Sequence, residues 1–240
     1  MNIILFDHLQ QDPAGGFRID RDNERHGHIM KVLRLGKGDT FQMGLVNGGS
    51  GTGSIIEAGP DGIRFSYLEE HPPSGGQPVR LLVGSVRPIC MKRILREASS
   101  LGVDEILVTA TDLGERSYLE ATIWKDERYR SFLVDGAQQA GMTHIPRLRR
   151  FSRLEDALEA VWEDDRIILD LGEGIPRLSE LAVCSPAILA VGTERGWSSA
   201  ERKLFDRHGW RGASLGNRVL RSETACAGGV VLLLARMGLI

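Results

Sequence analysis

Near the end of the chain, two guanidinium groups and a carboxylate fall close together in Leu215-Gly216-Asn217-Arg218-Val219-Leu220-Arg221-Ser222-Glu223-Thr224-Ala225. The planar fork of arginine suits anionic oxygens, and a carboxylate can take up a proton or hold a guanidinium in place. The stretch runs on into the apolar Val230–Ala235, so it reads as a polar, glycine-bearing loop feeding a terminal helix. Ser222 followed by Glu223 suits the start of that helix, a hydroxyl cap with an acid in the first turn. A second group is Val191-Gly192-Thr193-Glu194-Arg195-Gly196-Trp197, followed by Ser198 and Glu201 at capping-box spacing. A third, Leu169-Asp170-Leu171-Gly172-Glu173-Gly174, ends a β-branched run from Ile167. No cluster of His, Cys and Asp offers a metal site, so the expected chemistry uses no metal.

Each of these loops follows an apolar segment and precedes a helix, and in open α/β sheets ligands gather at the carboxyl ends of strands. The elements that position them occupy the second part of the chain. Strands are expected at Val79–Val86, Val103–Ala110, Ile167 and Ala187. Helices are expected at Cys90–Leu101, Tyr118–Ala140, Leu154–Trp162, Ala200–Arg207 and Glu223–Met237. Alternating strands and helices, with strands apolar throughout, imply a parallel sheet covered on both faces. The first part reads differently. Ile3–Phe6, Phe17–Ile19, Thr40–Met43, Ser54–Glu57 and Ile63–Leu68 are short apolar runs divided by Gly, Pro and Asp turns, the pattern of a small barrel. Asn23–Leu35 has helical character, with His28, Val32 and Leu35 at three- and four-residue steps. The Pro- and Gly-rich stretch His71–Pro78 separates the halves. The expected domains are residues 1–71 and 77–240.

The chain has 240 residues, 42% apolar and 26% charged, ordinary for a soluble globular protein. No run approaches the roughly 18 apolar residues of a membrane span, and the first residues do not read as a signal peptide. Cys90, Cys184 and Cys226 are odd in number and far apart, which suits a reducing, cytoplasmic setting. A net charge of −2 argues against non-specific coating of nucleic acid. Two basic clusters, Arg87/Lys92/Arg93/Arg96 and Arg147/Arg149/Arg150/Arg153, leave room for a local patch.

The two loops from Val191 to Ser198 and from Leu215 to Ala225 together resemble the paired signature of the SPOUT-class 16S rRNA (uracil-N3) methyltransferases, the ribosomal small-subunit methyltransferase E family. That family writes them roughly as I-G-P-E-G-G-F-S and L-G-x-R-I-L-R-x-E-T-A. His28-Ile29-Met30-Lys31-Val32-Leu33-Arg34, continuing to Gly38-Asp39, is similar to its N-terminal H-x-x-x-V-L-R-x-x-x-G-D. The likeness extends over nearly the whole chain. It implies an N-terminal PUA-like β-barrel, in which His28, Lys31 and Arg34 would contact RNA, and a C-terminal SPOUT α/β domain with a deep trefoil knot. It also implies a homodimer, S-adenosylmethionine as cofactor and small-subunit ribosomal RNA as partner.

On that resemblance the three loops would wrap the cofactor through Leu169, Gly172, Gly192, Glu194, Gly196, Leu215, Gly216, Val219, Leu220 and Thr224, the glycines permitting close main-chain approach. Methylation at uracil N3 requires loss of the N3 proton and relief of the charge developing on the base oxygens. Arg218 and Arg221 would serve the second need. Glu194 or Glu223 would act as base or orient those arginines, with orientation favoured for Glu223. The chain departs from the family at Thr193, Arg195 and Trp197, at Gln138 and Met142, where an acid and an Arg are usual, and at Glu97 and Ser100. These departures leave open a different RNA target, or an RNA-binding protein of the same fold without turnover. A nicotinamide-dependent oxidoreductase fares worse, since no G-x-G-x-x-G follows an early strand.

Overall fold

The computed structural model describes residues 3–162 and 165–240, which divide into two compact units. The first runs to Gly75 and includes Ala137–His144. Six strands, β1 (Ile4–Phe6), β2 (Gln10–Gln11), β3 (Phe17–Asp20), β4 (Thr40–Leu45), β5 (Ser50–Gly59) and β6 (Gly62–His71), form one curled sheet in the order β1-β4-β5-β6-β3-β2. Only β1 and β4 pair in parallel. Phe6, Phe17 and Phe41 surround Phe65 with ring centroids 5.6–5.9 Å apart, and Ile4, Ile19, Met43, Ile55 and Ile63 complete the core. This is the PUA-like barrel. Gln138, at the position where the family has an acid, is buried here and accepts the backbone N–H of Leu5 at 3.0 Å.

The helix expected over Asn23–Leu35 is cut short. Asn23 caps α1 (Glu24–Gly27) by accepting from the Arg25 N–H. The chain then widens into a π turn, His28–Leu33, that ends at Arg34 in the left-handed region, φ 56°. The wider turn puts Ile29 inside and leaves Val32 65% exposed, so the spacing of His28, Val32 and Leu35 does not mark a buried stripe.

The second unit comprises residues 76–136 and 145–240. Its strands are β7 (Gln77–Gly84), β8 (Val103–Thr109), β9 (Arg147–Phe151), β10 (Asp165–Leu169), β11 (Ala187–Val191) and β12 (Arg211–Ala213). They form a wholly parallel sheet in the order β12-β10-β11-β7-β8-β9. Its helices are α2 (Pro88–Ser100), α3 (Tyr129–Ala140), α4 (Leu154–Glu159), α5 (Ser199–Arg207) and α6 (Ser222–Arg236), with the end of α3 counted in the first unit. Leu82, Leu107, Ile168, Ile188 and Ala190 pack with Leu154, Leu158, Trp197, Phe205 and Trp210 in one core. Helices α2 and α6 pack against each other, and α6 covers β7 and β11. A methyl on Gly229 would come within 2.6 Å of Leu189 and 3.0 Å of Leu169, so this glycine lets α6 lie close on the sheet. Interior strands buried on both faces explain the unbroken apolar runs of the sequence.

Three expectations need correction here. The long helix from Tyr118 breaks into two short 3-10 turns, Arg116–Glu120 and Thr122–Glu127, before α3. The buried Trp124 donates its indole N–H to the Tyr118 carbonyl at 2.7 Å, and Asp126 at φ 51° turns the chain away from the helical path. Strands β9 and β12 were not expected. Both lie at sheet edges, where solvent-facing residues carry no apolar run: β9 reads Arg-Leu-Arg-Arg-Phe.

Candidate functional site

Beyond the carboxyl ends of β10, β11 and β12 the three glycine-bearing loops converge on a cleft of about 300 Å³, within the usual size range of small-ligand sites. Leu169, Asp170 and Leu171 line it after β10. Val191 to Gly196 line it after β11. Leu215, Arg218, Val219 and Leu220 come from the last loop, Ser222 and Ala225 from α6, and Arg202 from α5.

The loop after β11 is tightly specified. Gly196 adopts φ 72° and its N–H returns to the Thr193 carbonyl at 2.9 Å. A methyl on Gly192 would meet the Gly196 backbone at 3.0–3.2 Å. Beyond it, Trp197 is buried and the capping box at the start of α5 forms as expected: Ser198 accepts from the Glu201 N–H, and Glu201 from the Ser198 N–H. The second Glu201 oxygen accepts the Asp112 N–H at 2.8 Å, tying this loop to the end of β8. The loop after β10 is held from α5, because Arg202 grips both Asp170 oxygens at 2.5 and 3.0 Å. That carboxylate holds the Arg202 guanidinium above its ordinary range. The Ser214 N–H donates to Pro176 and its carbonyl accepts from Leu178, each at 2.9 Å, which joins the two outer loops.

Ser222 is not the cap of α6. Arg221 occupies that position without a side-chain cap bond, and Ser222 is the first helical residue. Its buried hydroxyl instead donates to the Gly192 carbonyl at 3.2 Å, so the last loop and the β11 loop share a direct bond.

Of the residues singled out in the sequence, Leu169, Gly192, Glu194, Gly196, Leu215, Arg218, Val219 and Leu220 line the cleft; Gly172, Gly216, Thr224, Arg221 and Glu223 do not. Glu223 pairs with Arg93 of α2 at 3.2 Å, and among the described residues neither Arg218 nor Arg221 has an ion-pair partner. A bond from its own backbone N–H, aided by the Cys90 thiol and Arg93, keeps the Glu223 carboxyl below its ordinary range despite the opposing effect of burial. In the first unit, Lys31 and Arg34 are exposed, whereas the His28 Nε2 is buried without a hydrogen-bond partner. Of the lining residues, Arg202 alone lies outside the segments singled out in the sequence; it reaches the cleft from mid-helix, and no local pattern marks it.

The lining fits S-adenosylmethionine. Leu169, Leu171, Val191, Leu215, Val219 and Leu220 offer apolar walls for an adenine, the glycine loops offer main-chain groups, and Glu194 offers a carboxylate to a cationic ligand. No group of three His, Cys, Asp or Glu side chains among the described residues is arranged to hold a metal ion.

Comparison with known proteins agrees with this geometry. Residues 73–233 match the model of an RNA methyltransferase domain. The ribosomal RNA small subunit methyltransferase E of Treponema pallidum is 34% identical, over 98% of this chain and 91% of its own. A Borreliella burgdorferi protein named ribosomal RNA small subunit methyltransferase E 1 is 28% identical over 86% and 88%. The crystal structure of a Neisseria gonorrhoeae ribosomal RNA small subunit methyltransferase E bound to S-adenosyl methionine superposes with a TM-score of 0.81, covering 99% of this chain and 98% of that one at 17% identity. The chain belongs to the RNA methyltransferase family, in its ribosomal RNA small subunit methyltransferase E branch.

Proposed function

We propose that this protein is an S-adenosylmethionine-dependent methyltransferase of 16S ribosomal RNA that methylates N3 of a uridine. The observation that carries the reading is the cleft itself, where three glycine-bearing loops meet beside unpaired charge in a chain of this family. Held by these loops, S-adenosylmethionine would supply the methyl group. The protein must remove the N3 proton and stabilise the anion left on the base. Glu194, on the cleft wall, accepts that proton. Glu223 suits the task less, because its partners favour the ionised form, and it orients Arg93 rather than Arg218 or Arg221. Arg218, also on the wall, faces the developing charge, and Arg221 just outside holds a flanking phosphate.

The barrel serves RNA binding, with Lys31 and Arg34 as exposed cations that position phosphate. No helix is long and apolar enough to cross a membrane among the described residues, and a ribosomal substrate supports a cytoplasmic location. A homodimer is supported by exposed Ile89 at 62%, Val219 at 81% and Val231 at 40%; light scattering at low concentration tests it, and a strict monomer would count against it. The knot is supported by the path of the chain. It leaves edge strand β12, passes the cofactor loops and returns as α6 over β11 and β7.

Calorimetry with S-adenosylmethionine, followed by methyl transfer to an unmodified 16S rRNA transcript with mass-spectrometric mapping, tests the assignment. The expected result is binding and one methylated uridine. Binding without transfer would favour an RNA-binding protein of this fold, a reading to which Arg195 on the cleft wall lends support. No binding would overturn the assignment.

A further inference from the structure

In open α/β sheets the ligand crevice lies where strand order reverses, here between β7 and β11. The ends of β7, β8 and β11 are packed closely at that point. A methyl on Gly84 would come within 2.9 Å of Thr111 and 3.0 Å of Thr193, and one on Gly114 within 3.3 Å of Thr193. This brings the end of β7, which leads into Arg87, and the Thr111–Gly114 segment, which leads into the Tyr118 turn, against the loop that carries Glu194. The Tyr118 turn is fixed in turn by Trp124 and by Arg150, which donates to the Leu119 carbonyl at 3.0 Å. The hydroxyls of Ser85 and Thr111 are buried here without hydrogen-bond partners among the described residues. Arg87 itself is exposed at the start of α2. The charged and titratable groups acting on it are Tyr118, Glu194 and Cys90, and Cys90 faces Glu223 and Arg93 in turn. Arg87 is not part of the cofactor cleft.

We propose that Arg87 holds the acceptor base, its guanidinium donating to a carbonyl oxygen beside uracil N3 while Glu194 faces the N3 proton. Uracil presents that proton between two carbonyl acceptors, so recognition needs an acceptor with a donor next to it, and Glu194 with Arg87 supplies the pair. Loss of the proton moves negative charge onto those oxygens, where a fixed guanidinium stabilises it. Tyr118, which acts on the guanidinium, holds it in place. This inference rests on the uridine-N3 reading above.

The test compares the natural chain with Arg87→Ala, Tyr118→Phe and, as a control, Lys92→Ala, an exposed cation on the same helix that lies over Phe132. Cofactor affinity by calorimetry should not change in any variant. Without cofactor, R87A should bind an unmodified 16S rRNA transcript several-fold more weakly than K92A does. Its kcat at neutral pH should fall roughly 100-fold, the scale of a lost oxyanion donor. That loss should shrink as pH rises, because alkali ionises N3 without help, and Y118F should follow the same trend to a smaller extent. A rate profile parallel to that of the natural chain, or equal weakening of RNA binding by R87A and K92A, would overturn the role of Arg87 alone. Failure of the natural chain to methylate any uridine of the transcript would overturn the functional reading and this inference together.

Discussion

At the amino-terminal edge of the parallel sheet, Arg80 and Glu105 lie buried against each other, 3% and 5% exposed, with Arg149 reaching the same carboxylate. Arg211 pairs there with Asp165, whose other oxygen accepts the Cys184 N–H at 2.7 Å. At the carboxyl-terminal edge, Glu194, Arg218 and Arg221 sit on or beside the cleft with no ion-pair partner among the described residues, and the paired groups, Asp170 with Arg202 and Glu223 with Arg93, hold the loops rather than fill the space between them. One sheet thus spends charge in two ways. Where charge is buried it is matched and fixes strand ends; where it borders the cleft it stays available to a ligand.

The largest expected effect breaks the first edge. Glu105→Ala removes the buried carboxylate that Arg80 and Arg149 share, and breaking such a buried pair costs about 3–5 kcal/mol. Denaturant unfolding should show that loss, with cofactor affinity of the folded protein unchanged; a mild effect would mean that Arg80 is solvated by rearrangement and that the edges differ less than their geometry indicates. Gly192→Ala acts at the other edge. Its methyl presses on the Gly196 backbone, so cofactor affinity should fall roughly tenfold, about 1.4 kcal/mol, with little change in the unfolding midpoint. The two variants together separate a structural edge from a functional one.

Much of this contrast was legible in the sequence, and the parts that were not share a physical cause. The apolar runs at Val79, Val103, Ile167 and Ala187 announced interior strands because burial on both faces leaves no polar positions. The glycines at 192 and 196 announced a tight loop because few other residues tolerate its geometry. Edge strand β9 stayed hidden because its arginines answer to solvent and to Asp104 and Glu105 on the neighbouring strand. The bonds of Ser222 with Gly192 and Arg202 with Asp170 join residues about 30 positions apart, and no local pattern encodes such a partner. Ser222 was misread for the same reason: a hydroxyl at a helix start suits a cap locally, while the tertiary contact claims it.

Smaller effects sharpen the comparison within the cleft. Ser222→Ala removes the bond to the Gly192 carbonyl, leaves that buried acceptor with one partner fewer, and should cost about 1 kcal/mol. Cofactor affinity should fall along with stability, since the same bond shapes the loop; a loss of stability alone would make Ser222 a packing residue only.

The smallest effect concerns Glu223 and Arg93, a pair that is 12% and 54% exposed, so solvent screens it and high salt should weaken it further. The folded carboxyl lies below its ordinary value of 4.5, so the unfolded chain binds more protons than the native one across that interval. The stabilisation is therefore complete above the unfolded value and disappears as pH falls through the folded one. Melting temperatures of the natural chain and Glu223→Gln, measured from about pH 7 down to about pH 3, should differ most near neutrality and converge in acid. A gap that stays constant with pH would mean that the carboxylate charge contributes nothing and that Glu223 holds α6 to α2 through packing and neutral hydrogen bonds, which would leave Arg93 as free as the arginines of the cleft.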